Sequence, residues 1–339
     1  MNPETNPTEE RVMPSNLFSN QPVFWQLLIL LLIMIAIFSS AIFGELRHVA
    51  SERAREALQM SGAQMGAAAI TATSKEVAIP PQSLEASAAI VFDLTNSAVL
   101  YEENKEMILP LASITKLMTA LLAHEILSES TSVSISDGAT AQDGDSGLRG
   151  GESFYRSDLS ELVLLTSSND GAYALAERAG RELDQNAPVA AFVAAMNFRA
   201  EQLGFTSLRF LNPTGLDVSE REAGGYGSAE DVAKLMGYLL RTYPDIVTPT
   251  KDEVVAVFNQ AGDFHEAENT NSTVLAIDGL LASKTGFTDL AGGNLVIAYD
   301  AGLNRPVIVV ALGSSRTGRF TDIIKLVDAT NASITPSDE

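Results

Sequence analysis

The chain has 339 residues, 46% of them hydrophobic and 19% charged, and its 22 lysines and arginines face 43 aspartates and glutamates, for a formal net charge of -21. So acidic a chain repels phosphate backbones, which excludes nucleic-acid binding over a broad basic face and obliges any anionic substrate to find a local cluster of cations. There is no cysteine, and the three histidines His48, His124 and His265 form no His-Glu-x-x-His pattern, so disulfides and thiolate metal sites are excluded and a catalytic zinc is not expected.

Residues 1–22 are polar, rich in Pro, Asn and Glu, and read as a disordered tail. From Val23 to Phe43 the chain is almost wholly apolar, long enough for a transmembrane helix of about 20 residues, with Trp25 near one end where interfacial aromatics are expected. A cleaved signal peptide competes with this reading, because Ser39, Ser40 and Ala41 are small. Its core would run to about 7–15 residues behind a basic front, and here the core is long and the front carries only Arg11. A retained anchor is the better expectation, with the globular part outside the cytoplasm. Arg47, Arg53 and Arg55 follow the span, and positive-inside counting pulls against that orientation. Residues 44–85 read as a stalk and a linker with Pro80-Pro81.

The globular part is expected over residues 86–330. Ala88 to Asp93 and Ala98 to Tyr101 are apolar runs around Thr95-Asn96 and predict a hairpin. Pro110 then permits a helix start near Ala112, with Ser113 in or beside its first turn. The residues after it, Leu117, Met118, Leu121, Leu122, Ile126 and Leu127, are apolar around most of the circumference, as in a buried helix. Residues 131–156 are turn-rich. Ser157-Asp158 predicts the cap of a helix reaching Leu165, and further helices are expected over about 170–179, 192–203 and 228–242. Strands return from Val254: a short run over 279–284, an alternating one over 294–299 and an apolar, fully buried one over 306–312. A helix near 319–329 and a polar tail over 331–339 end the chain. Strands, a helical block, more strands and a last helix describe one α/β (α+β) domain in which a helical lobe interrupts the sheet.

Three short motifs stand in order: Ser113-Ile114-Thr115-Lys116, Ser167-Ser168-Asn169 and Lys284-Thr285-Gly286. Alone, each has an ordinary reading: a helix cap, a link between helices, a strand end with a turn glycine. Together they match the Ser-x-x-Lys, Ser-Asp-Asn and Lys-Thr-Gly set of β-lactamases and penicillin-binding proteins. The text around them, with Asn212-Pro213-Thr214-Gly215-Leu216, Ser228-Ala229-Glu230-Asp231 and Phe287-Thr288-Asp289-Leu290-Ala291-Gly292, resembles the low-molecular-mass D-alanyl-D-alanine carboxypeptidases of serine peptidase family S11.

The resemblance implies a β-lactamase/transpeptidase-like fold, an antiparallel sheet flanked by helices with an inserted helical lobe, here with an N-terminal transmembrane helix. It implies Ser113 as nucleophile, Lys116 as general base, neutral because it is buried near Lys284, and Ser167 as proton relay. Asn169 holds Lys116 or the substrate amide, and Lys284, Thr285 and Gly286 line the strand on which substrate lies extended. The backbone N–H groups of Ser113 and Phe287 form the oxyanion hole, and Arg319, with Arg316 as the alternative, meets the substrate carboxylate. Asn212 and Asp231 read as structural. Partners are the peptidoglycan stem peptide ending in D-Ala-D-Ala, β-lactams as covalent inhibitors, and the membrane through residues 23–43. No cofactor or metal is implied. A class A β-lactamase would need a deacylating glutamate where Ser207 to Asn212 offers Arg209, so slow deacylation is expected. An endopeptidase acting on cross-links, or a silent wall-binding scaffold, remains open.

Overall fold

The computed structural model describes residues 79–334 apart from Asp145 and Leu303; the apolar span 23–43, the tail before it and most of the stalk lie outside the described residues. Among the described residues no helix is long and apolar enough to cross a membrane.

The described chain enters along the sheet, with Ile79 N–H donating to the Leu100 carbonyl, and forms a hairpin of β1 (Ala88–Asp93) and β2 (Ala98–Glu103). The buried Asp93 carboxylate closes its turn, accepting from the backbone N–H groups of Thr95 and Asn96 and from the Arg305 guanidinium. A short β3 (Leu109–Pro110) then leads into the helical lobe. The lobe comprises a 3-10 turn at Ala112–Thr115 and the helices Lys116–Ile126, Arg156–Thr166, Asn169–Gly180, Pro188–Gln202 and Ala229–Thr242. Between them lie the small strands β4 (Ser132–Ser134), β5 (Ser153–Tyr155), β6 (Arg209–Phe210) and β7 (Gly225–Gly227). A hairpin of β8 (Val254–Phe258) and β9 (Phe264–Glu268) returns the chain to β10 (Leu280–Thr288), β11 (Gly292–Asp300) and β12 (Pro306–Ser314), and the helix Gly318–Ile334 follows.

The main sheet runs β10-β11-β12-β1-β2 with every neighbouring pair antiparallel. Alternate residues of its strands serve two cores, because successive side chains of a strand point to opposite faces. Ala88, Ile90, Val296, Ala298, Ile308 and Val310 face the lobe and pack with Leu117, Leu121, Val232 and Leu235. Ala89, Val91, Leu295, Ile297, Val307 and Val309 face the other way and meet Ile323, Leu326 and Val327 of the closing helix. Full burial of one such aliphatic side chain contributes about 1.5–3 kcal/mol, so the sandwich of sheet between helices follows from apolar positions on both faces. Its open edge on one side is β10, the strand that carries Lys284, Thr285 and Gly286.

Several sequence expectations are corrected. The helix expected to be capped at Ser157 begins at Arg156 behind an extended Tyr155, with no side-chain cap. The run over 279–284 is the first part of a strand reaching Thr288, so Lys-Thr-Gly lies within a strand and not at its end. The stretch 294–299 alternates between two cores and not between core and solvent, and is buried throughout. The closing helix runs on to Ile334, five residues past the expected Ala329.

Candidate active site

Ser113 does not open an α-helix. It sits in the 3-10 turn Ala112–Thr115, which passes directly into the helix starting at Lys116. The turn is tight because Ala112 takes a left-handed conformation, φ +49°, which costs a non-glycine residue about 1–2 kcal/mol. Two features hold it there. Gly215 backs onto the turn so closely that a Cβ on it would lie 1.9 Å from the Ala112 carbonyl oxygen. Behind Pro110, the fully buried Asn294 of β11 donates from Nδ2 to the Pro110 carbonyl at 2.9 Å and accepts at Oδ1 from the Gly313 N–H at 2.8 Å.

The lysine three residues on is wholly buried. Lys116 Nζ lies 2.9 Å from Ser113 Oγ, 2.7 Å from Asn169 Oδ1 and 2.7 Å from the Thr214 carbonyl oxygen. Burial first, and the neighbouring Lys284 second, hold its pKa well below the usual lysine value. A neutral amine has two N–H donors and one lone pair. Asn169 Oδ1 and the Thr214 carbonyl can only accept, so they take the two donors, and the Ser113 hydroxyl is the one partner able to donate to the lone pair. The arrangement can therefore move the serine proton onto lysine.

Opposite stands a second serine–lysine pair. Ser167 takes a left-handed conformation, φ +61°, in the break between the helices Arg156–Thr166 and Asn169–Gly180. That turns its Oγ toward Lys284, whose Nζ donates to it at 2.9 Å and to the Thr285 carbonyl at 3.0 Å. The next residue, Ser168, caps the second helix by accepting from the Gly171 N–H, and this fixes Asn169 in its first turn. Lys284 is also buried, and burial followed by the nearby Arg319 brings its pKa down to about 7. Thr285 shares a hydrogen bond with Thr270. Gly286 passes over the Ser113 turn, where an added Cβ would lie 2.8 Å from the Leu111 carbonyl oxygen and 3.2 Å from Ser113 N.

At the far end of β10, Arg319 is buried and its Nη1 donates to the Gly286 carbonyl at 2.6 Å, while its Nε has no hydrogen-bond partner. Burial, then the proximity of Arg316, lowers its pKa to about 10. Phe287, half-buried, lies under the Arg316 guanidinium, 3.8 Å from carbon to ring centroid. All three motifs thus converge on one cleft edge. Asn212, read as structural, accepts from Thr214 and Gly215 and so shapes the turn that presents the Thr214 carbonyl to Lys116. Asp231 accepts from the Ser207 N–H and hydroxyl near a helix start.

Thr214 and Asn294 were not foreseen. Thr214 acts through its backbone, which leaves no side-chain signal. The lone asparagine heading the apolar run Asn294 to Tyr299 was the available clue for the other. Among the described residues no group of three or more His, Asp or Glu side chains could hold a metal ion.

A mixed α/β penicillin-binding, transpeptidase-like fold with a buried lysine hydrogen-bonded to a half-buried serine defines a serine peptidase class. Residues 73–316 match the S11 peptidase family, described as D-alanyl-D-alanine carboxypeptidase, and the chain belongs to that family. It is 32% identical over 260 residues to the D-alanyl-D-alanine endopeptidase of Escherichia coli, covering 75% of this chain and 77% of that one. It is 29% identical to the D-alanyl-D-alanine carboxypeptidase DacF of Bacillus subtilis, covering 72% and 61% of the two. Penicillin-binding protein D2 of Listeria monocytogenes, solved in a cefotaxime-bound form, superposes with a TM-score of 0.62 at 30% identity, covering 74% of this chain and 98% of that one.

Proposed function

We propose that the protein is a membrane-anchored, extracytoplasmic serine D,D-carboxypeptidase that removes the terminal D-alanine from peptidoglycan stem pentapeptides. The observation that carries the reading is the wholly buried Lys116 amine 2.9 Å from Ser113 Oγ, its pKa held well below the usual lysine value by burial and by Lys284. Ser113 Oγ attacks the penultimate D-alanine carbonyl and gives its proton to Lys116, while the backbone N–H groups of Ser113 and Phe287 take the oxyanion. As the peptide C–N bond breaks, Ser167 passes a proton to the departing amine, with Lys284 hydrogen-bonded to Ser167 to support the transfer. The ester left on Ser113 is then hydrolysed by water, which restores the hydroxyl. Asn169 holds Lys116, Thr285 and Gly286 align the extended peptide along the β10 edge, and Arg319 meets its terminal carboxylate. β-Lactams acylate Ser113 by the same attack, and with Arg209 in the stretch where a class A enzyme keeps its glutamate the adduct persists. The apolar span 23–43 supplies the anchor.

Cleavage of cross-links is the second reading, supported by the 32% identity to an endopeptidase. A fluorescent penicillin should label the wild type covalently and leave Ser113→Ala unlabelled. A folded wild type that stays unlabelled would sink both readings. Release of free D-alanine from a pentapeptide measures the carboxypeptidase activity, and protease accessibility on intact cells tests the topology.

A further inference from the structure

Arg316 is exposed, and its guanidinium carbon sits over the Phe287 ring, 3.8 Å from the centroid. Stacking uses the face of a guanidinium and leaves its in-plane N–H donors free, which is the geometry that receives a carboxylate. Among the described residues neither Arg316 nor Arg319 forms an ion pair with a carboxylate, in a chain that carries 43 acidic residues. The two cations are close enough that Arg316 depresses the pKa of Arg319, so a carboxylate paired with Arg316 would relieve a repulsion present in the free protein.

Their positions differ in kind. Arg319 is buried and tied to the Gly286 carbonyl, inside the reacting cleft. Arg316 is outside it, on the rim next to the residue that follows Lys-Thr-Gly. A departing D-alanine carries one carboxylate, beside the scissile amine, and one cation is enough to neutralise it. With Arg319 in that role, the Arg316 donors and the Phe287 face are open to a further group.

We propose that Phe287 and Arg316 form a subsite for a leaving group larger than alanine, a stem peptide whose hydrocarbon arm packs on Phe287 and whose second carboxylate pairs with Arg316, so that the enzyme also cuts cross-links. This rests on the acyl-enzyme reading of Ser113 given above. The subsite acts on the leaving side only and takes no part in acylation by a β-lactam.

The test uses the full-length protein in detergent with a pentapeptide, a cross-linked stem-peptide dimer, and the same dimer with the distal carboxylates of its acceptor stem amidated. Arg316→Gln is expected to lower kcat/KM on the dimer relative to the pentapeptide by about two- to five-fold, through KM, as for loss of one exposed ion pair. Amidation should cost the wild type the same factor and cost Arg316→Gln nothing further. Arg316→Lys, which keeps the charge but loses the planar fork, should recover part of the ratio. An unchanged ratio, equal sensitivity of both proteins to amidation, or a wild type that cleaves pentapeptide but not dimer would each overturn the subsite. Fluorescent penicillin separates the two levels: wild type and Arg316→Gln that label equally but show no change in ratio refute the subsite alone, whereas an unlabelled wild type refutes the nucleophile.

Discussion

Asn294→Leu tests how the sheet holds the nucleophile. The native side chain is fully buried and bridges the Pro110 carbonyl, three residues before Ser113, to the Gly313 N–H of β12. Leucine has a similar size but neither donates nor accepts, so two backbone groups lose their partners. Each buried, unsatisfied group costs about 1–3 kcal/mol, giving about 2–6 kcal/mol for the pair. At about 2–4 °C per kcal/mol for a domain of this size, the melting temperature should fall by roughly 4–24 °C. Asn294 also lies opposite Gly286 in the β10–β11 register, so it ties the Ser113 turn to the strand that provides the Phe287 N–H. A misplacement of about 1 Å at a reacting centre costs about a hundred-fold in rate, and a looser turn should slow acylation by at least about ten-fold even where the variant is fully folded. Thermal unfolding followed by circular dichroism, and stopped-flow acylation by a fluorescent penicillin well below the transition, measure the two effects. A melting temperature within about 1 °C of wild type, or normal acylation in a clearly destabilised variant, would refute the bridging role.

The titration of the two lysines gives a pH prediction with a definite sign. Lys284 has a folded pKa of about 7, below its ordinary value of 10.5, so between those values the unfolded chain binds a proton that the folded chain does not, and this group makes stability rise with pH across that window. The wild-type melting temperature should climb more steeply from pH 7 to 10 than that of Lys284→Met; superimposable profiles would contradict the burial argument. The same variant removes the like charge that helps keep Lys116 neutral. With that like charge gone Lys116 holds its proton more readily, so the acid limb of acylation should move to higher pH; a limb that stays in place would show that Lys284 does not contribute. Gly286→Ala would place a methyl 2.8 Å from the Leu111 carbonyl oxygen and push β10 off the nucleophile turn, so acylation should drop by about a hundred-fold; a rate within three-fold of wild type would show that the strand can yield without consequence.

What was legible in the sequence is local in origin. Ser113 and Lys116 are one helical turn apart whatever surrounds them, and the apolar runs of β1, β2 and β12 announce strands by period and length. The boundaries that were missed share a cause. Arg156 opens its helix without a side-chain cap, because an extended Tyr155, paired in β5 to Ser132, sets the entry angle instead. The strand carrying Lys284 looked short because Thr285, Gly286 and Phe287 have no alternating pattern, and it extends to Thr288 through pairing with β11, which is a long-range contact.

The residue types, their order and the three motifs were therefore set by the sequence alone, and with them the kind of chemistry available. Only the tertiary structure decided that this chemistry is possible. A lysine is ordinarily a cation and a serine hydroxyl ordinarily inert. Lys116 can serve as a base because the sheet and lobe close around it, because Thr214 and Asn169, distant in sequence, lie against its amine, and because Lys284 is brought in from β10. Desolvation and like-charge repulsion depend on what surrounds a group in space, and no stretch of chain around Lys116 contains those neighbours.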